Sequence, residues 1–139
     1  MPGSSSSPAS SFGLLLLRVG AGALLVIGHG WPKLMQFSQL APKWVDPLHI
    51  GHDRSLMLTI FAEVFCAAMV ALGFATRFAS AVIVIMFGII VFVVSHGKPF
   101  SDRELAIVYA LPFLCLMFTG GGGYALDASY GPKLKFGGK

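Results

Sequence analysis

Between Phe61 and Arg77 the chain reads FAEVFCAAMVALGFATR, an apolar stretch with one acid, Glu63, set inside it. With the residues leading in from Ser55 it is long enough to cross a bilayer as a helix. A carboxylate in hydrocarbon costs at least about 2.5 kcal/mol even on the lenient insertion scale, so Glu63 must face protein, water or a partner. That requirement sets the question for every other polar residue in an apolar stretch: does it lie near Glu63?

The totals agree with a lipid environment. Hydrophobic residues make up 55% of the chain, charged residues 12%, and the mean hydropathy is +0.78. Soluble domains carry about 25% charged residues. The length of 139 residues suits one domain. Net charge is +4, but the basic residues are scattered without aromatic interleaving, which argues against nucleic acid as a partner. They suit orientation and anionic headgroups instead. Cys66 and Cys115 form no CxxC pair, and no metal-binding spacing is present.

Taken in order, Met1–Ser11 is Ser/Pro/Gly-rich and reads as a disordered tail. A cleaved secretory leader is disfavoured, because no basic n-region precedes the apolar run and Arg18 interrupts it. The pattern predicts an all-α, integral membrane, antiparallel four-helix bundle over 12–123, with helices at about 12–36, 55–74, 77–95 and 102–119. A polar tail follows over 124–139. Arg18 can snorkel towards the N-terminal surface. Gly20, Gly22, Gly28 and Gly30 allow a neighbouring helix close approach. Trp31 and Lys33 read as an interfacial anchor, and Trp44 lays the 37–54 loop on the membrane surface. Ser101 or Asp102 is placed to cap the last helix, with Pro112 as a kink. Gly120–Gly123 reads as its end and a turn, since no strand precedes it to make a phosphate loop. Lys and Arg divide five against five between the two sides, so charge does not fix orientation. We place the termini in the cytoplasm.

Antiparallel threading allows depths to be compared. At 1.5 Å per residue, Glu63 lies about 12 Å, and His29 about 10 Å, from the loop ends of their helices. His29, Lys33, Glu63, His96 and Glu104 all fall in the half away from the termini, which predicts one shared polar pocket. Arg18, Gly22 and His29 share a face, as do Glu63 with Cys66 and Glu104 with Cys115. If the glutamates face inward, both cysteines do too and become neighbours at mid-depth. Plainer readings stand beside these. Glu63 can be the structural partner of a lysine or histidine, His29 a packing residue, and Glu104 a first-turn acid favoured by the helix dipole. His96 can be solvated, and the cysteines small buried hydrophobes.

Four segments together resemble the DoxX family of small four-helix membrane proteins: GHGWPKL with His29 and Lys33, FAEV…ALGFATRFAS with Glu63, Gly73, Thr76 and Arg77, REL with Glu104, and TGGGGYALD with Gly121, Gly123 and Asp127. The match runs from about Phe12 to Ala128. The resemblance implies quinone-linked sulfur or thiol oxidation, or oxidative-stress defence, in a membrane complex. It carries over His29, Lys33, Glu63, Arg77 and Glu104 as polar positions, with Arg77, Gly121, Gly123 and Asp127 as structural ones.

The resulting expectation is an accessory subunit of a redox system in a bacterial inner (plasma) membrane. Glu63 and His29 would relay a proton, and the pocket would hold a quinone or small sulfur species. No flavin or nucleotide motif is present, so a peripheral redox enzyme would supply electrons; homo-oligomerisation is left open. The alternatives are a small proton-coupled transporter and a non-catalytic scaffold. Haem ligation by His29 and His96 is disfavoured by their depth difference of about two turns.

Overall fold

The computed structural model describes residues 7–130, so most of the Ser-rich N-terminal segment and most of the polar C-terminal tail lie outside it. The described residues are all-helical. The long elements are α1 (Pro8–Met35), α3 (His52–Leu72), α4 (Thr76–Val94) and α5 (Phe100–Thr119). Two short helices complete the described residues: α2 (Phe37–Leu40) in the connection between α1 and α3, and α6 (Leu126–Tyr130) after α5. By length and composition, α1, α3 and α4 are apolar enough to cross a membrane. The fourth long helix, α5, carries Asp102, Arg103 and Glu104 in its first turns, which lowers its mean hydropathy below theirs.

Helix α1 starts at Pro8, four residues before the expected position. Pro8 suits a first helical turn, and the Ser7 hydroxyl accepts from the Ser10 amide at 3.2 Å. Helix α5 starts at Phe100 after Pro99 and has no side-chain cap, so the capping expected of Ser101 or Asp102 is not made. It continues through Pro112 and ends where Gly120 turns to φ +74°. The tight α3–α4 turn follows from Gly73. There the Phe74 amide reaches back to Met69 O at 2.9 Å and the Gly73 amide to Val70 O at 3.0 Å. That pair of hydrogen bonds needs a left-handed residue, and Gly73 sits at φ +79°.

The core is built where α1, α3, α4 and α5 meet. Leu25, Cys66, Val70, Ile83, Phe113 and Leu116 are fully enclosed there. Helix α1 lies close on α3: a Cβ at Gly22 would stand 2.7 Å from Ala67 O, and one at Gly30 would stand 2.7 Å from Glu63 O. Gly20 and Gly28 face open space, so only half of the glycines expected to ease packing do so. Large apolar side chains such as Leu24, Phe65, Ile85, Phe92 and Phe118 point outward. A continuous apolar exterior of this kind belongs in lipid.

Three of the four long helices loosen into a π turn. These turns span Val26–Gly30 in α1, Phe61–Cys66 in α3 and Ile90–Val94 in α4. In α1 the cause is Pro32, which has no amide to donate and whose ring crowds the carbonyl four residues back, at Gly28. π turns of this kind are frequent at functional sites.

The segment after α1 is not an open loop. Helix α2 and a short 3₁₀ turn, Ala41–Lys43, fold back onto the start of α3. Ala41, Leu56 and Ile60 form a small second core there, flanked by Phe37 and Trp44. Asp46 anchors it, accepting from the Ser55 hydroxyl at 2.7 Å and from the Gly51 and Ile50 amides at 2.8 and 3.0 Å.

Candidate functional site

Two buried polar clusters sit at opposite ends of the helices. The first is at the end shared by the start of α1 and the end of α5. Arg18 is 2% exposed. Its guanidinium donates to Gly121 O at 3.2 Å, to Tyr124 O at 3.0 Å and to Ala71 O. The expected snorkelling to the surface is therefore replaced by an internal clamp that joins α1, the end of α3 and the glycine turn. Asp127 completes it, accepting from the Ala75 and Thr76 amides at 2.6 and 2.8 Å. That carboxylate caps the start of α4 and favours its dipole. Gly121 lies under Thr76 and Ala125, where a Cβ would meet the Ala125 side chain at 2.6 Å. Gly123 packs beside Ser11, and the Arg77 side chain lies over Gly120.

The second cluster lies towards the opposite end. Glu63, 3% exposed, sits in the π turn of α3. Its carboxylate accepts from Lys33 Nζ at 2.5 Å. Gly30 makes this contact reachable, because it brings the two backbones together one turn before Lys33. Helix direction does the rest. Side chains lean towards the N-terminus of their own helix. In this antiparallel pair Lys33 leans inward from the end of α1, Glu63 leans outward, and the two close the difference in depth. Lys33 Nζ also stands 5.9 Å from the centre of the Trp44 ring. His29, in the π turn of α1, lies within electrostatic reach of Glu63. Its ring meets Tyr109 of α5 edge-on at 4.9 Å, and Tyr109 stacks on Phe87 of α4 at 6.1 Å.

A cavity of about 470 Å³ opens beside this pair. Helices α3 and α4 form its walls, the 44–48 segment forms its roof, and Lys33 and Glu63 lie on its inner side. Among the other lining residues, Ser55 and Thr59 carry hydroxyls and Trp44 an indole N–H, and the rest are apolar. Both hydroxyls are occupied, Ser55 by Asp46 and Thr59 by the Ser55 carbonyl at 3.0 Å. Lys33 and Glu63 are therefore the charged groups left to meet a guest, with the Trp44 indole beside them. Leu58, Phe61 and Ile85 line the cavity and are also exposed on the apolar exterior, so it opens sideways.

Of the five residues expected in one pocket, the structure unites Lys33 and Glu63, with His29 nearby. His96 and Glu104 are exposed and have no side-chain partner among the described residues. The face shared by Glu104 and Cys115 exists, but it is the outer one: Cys115 is exposed while Cys66 is enclosed in the core. The two cysteines therefore do not both face inward as expected, because depth along a helix does not fix rotation about it. Trp44 and Tyr109 were not among the expected site residues. Trp44 is legible as an aromatic in a loop rich in turn residues, but Tyr109 gives no signal within the apolar run of α5.

Among the described residues no group of His, Cys, Asp and Glu is arranged to hold a metal ion. A family model described as DoxX matches residues 13–96, which carry the whole of the Lys33–Glu63 contact and both of its π turns. No curated protein and no solved structure matches the chain.

Proposed function

Because the chain belongs to the DoxX family, we propose that it acts as an accessory subunit of a membrane redox system, with Lys33, Glu63 and His29 forming a quinone headgroup site. It is an integral membrane protein, with helices long and apolar enough to span the bilayer. In this reading α5 completes an antiparallel four-helix bundle in a bacterial inner membrane, with the termini cytoplasmic.

The observation that carries the proposal is the Lys33–Glu63 pair facing a cavity that opens on the apolar exterior. A quinone is lipid-soluble and reaches such a site from the bilayer. Reducing it takes protons as well as electrons. Lys33 donates a hydrogen bond to a quinone carbonyl oxygen, while Glu63, backed by His29, holds and passes a proton. A peripheral redox enzyme supplies the electrons, since this chain has no flavin or nucleotide motif. A small sulfur species is that enzyme's substrate in this scheme. Glu104 and His96 lie outside the site in this reading. The ion pair is also consistent with proton-coupled transport.

Purification in mild detergent tests the reading. Extractable quinone and a copurifying redox enzyme are expected, with quinone lost from Lys33→Met. A preparation free of both quinone and partner rejects it.

A further inference from the structure

We propose that the slot between α3 and α4 binds a single-chain lipophilic acid drawn from the bilayer, whose head takes Lys33 while its proton passes to Glu63. This rests on the reading of Lys33–Glu63 as a ligand site and names a second ligand class for it.

Shape supports a single chain. On α4 the lining runs from Val82 to Val94. At 1.5 Å per residue that is a slot about 18 Å long, parallel to the helices. Its volume of about 470 Å³ lies in the range of about 300–1,000 Å³ usual for small-ligand pockets. The walls are apolar along this length, and polar groups are gathered at one side, as an amphiphile with one head requires.

Charge selects the head. Among the described residues Lys33 is the only cation lining the slot, and Glu63 already neutralises it. An anion entering as such would leave a buried negative charge without a partner. A protonated acid entering from lipid avoids this. Its O–H bond breaks, the proton goes to the Glu63 carboxylate, and the new carboxylate takes over Lys33. The site holds the same net charge before and after. The groups facing this exchange are few. Helix α1 brings Lys33 and His29, α5 brings Tyr109 behind His29, the roof segment brings Asp46, held by Ser55, and the start of α3 brings His52, whose ring meets the Trp44 carbonyl. The α4 wall of the slot contributes no titratable group.

The test uses full-length protein in nanodiscs with Trp31→Phe, which leaves Trp44 as the only tryptophan. A brominated long-chain acid quenches Trp44 on binding, and its methyl ester serves as control. Saturable quenching is expected from the acid, at least tenfold tighter than from the ester. Above the acid's own ionisation, binding takes up one proton, so affinity falls tenfold per pH unit. Glu63→Gln cannot take that proton and binds the anion without this slope. Lys33→Met loses the preference for acid over ester. Equal quenching by acid and ester, measured with the site side chains intact, overturns the proposal, as does an identical pH slope in Glu63→Gln. Quinone in the same preparation is assayed separately. Quinone retained without acid preference rejects this inference alone, whereas acid binding in a quinone-free, partner-free preparation supports it and rejects the redox reading alone.

Discussion

The clamp around Arg18 and the pair around Lys33 each bury charge, but they bury it differently. Arg18 spends its donors on three backbone carbonyls, and Asp127 accepts from two backbone amides. Backbone partners cannot leave without unfolding the segment that carries them. Lys33 and Glu63 hold each other through side chains alone, beside a cavity. Side-chain partners can be exchanged for a ligand at little conformational cost. A buried charge tied to main chain is therefore architecture, while a buried pair tied only to itself at a cavity wall is available for chemistry.

The sharpest way to break this contrast is Arg18→Met. It leaves three carbonyls without their donor, that of Gly121 buried and those of Ala71 and Tyr124 partly so, and hydrogen bonds to charged groups are worth about 1.5–3 kcal/mol each. A loss of roughly 3 kcal/mol or more is expected in detergent unfolding titrations, and a near-neutral result would remove the distinction. Gly30→Val comes next. Its added atoms meet the Glu63 carbonyl and the Val64 side chain, so a loss of about 1–3 kcal/mol is expected. Ligand binding should fall with it, because α1 is pushed away and Lys33 with it.

The double change Lys33→Met with Glu63→Gln sharpens the comparison from the other side. Replacing both members of a buried pair is often neutral or stabilising. Stability should stay within about 1 kcal/mol of the parent while ligand binding disappears. A large loss of stability would make the pair architectural after all.

The smallest effect concerns the roof. The Ser55 hydroxyl, with the Gly51 and Ile50 amides, holds the Asp46 carboxyl below its ordinary range. Its contribution is present above the unfolded value of about 3.9 and is lost as pH falls through the lower folded value. Acidification below about pH 4 should therefore loosen the 44–48 segment, reported by Trp44 fluorescence in the Trp31→Phe background. Asp46→Asn should flatten that transition.

What the sequence made legible was depth. Lys33, Glu63 and His29 come together because antiparallel helices place them at comparable heights. What it withheld was rotation and return contacts. Glu104 and Cys115 keep their shared face but turn it outward, a choice made by packing against α1 and α4. Arg18 was misread for a different reason. Its acceptors Gly121 and Tyr124 lie more than a hundred residues away, so nothing local distinguishes a clamp from a snorkelling side chain. The displaced start of α1 was a local matter, visible in Ser7 and Pro8 once the cap is considered.

The π turns have one further bearing. Each holds an extra residue relative to an ordinary helical turn, and at 3.6 residues per turn one residue is worth about 100° of rotation. Tightening such a turn swivels everything beyond it while leaving the other end in place. All three lie nearer the slot than the arginine clamp, so any such rotation would act on the slot end and leave the clamp in place.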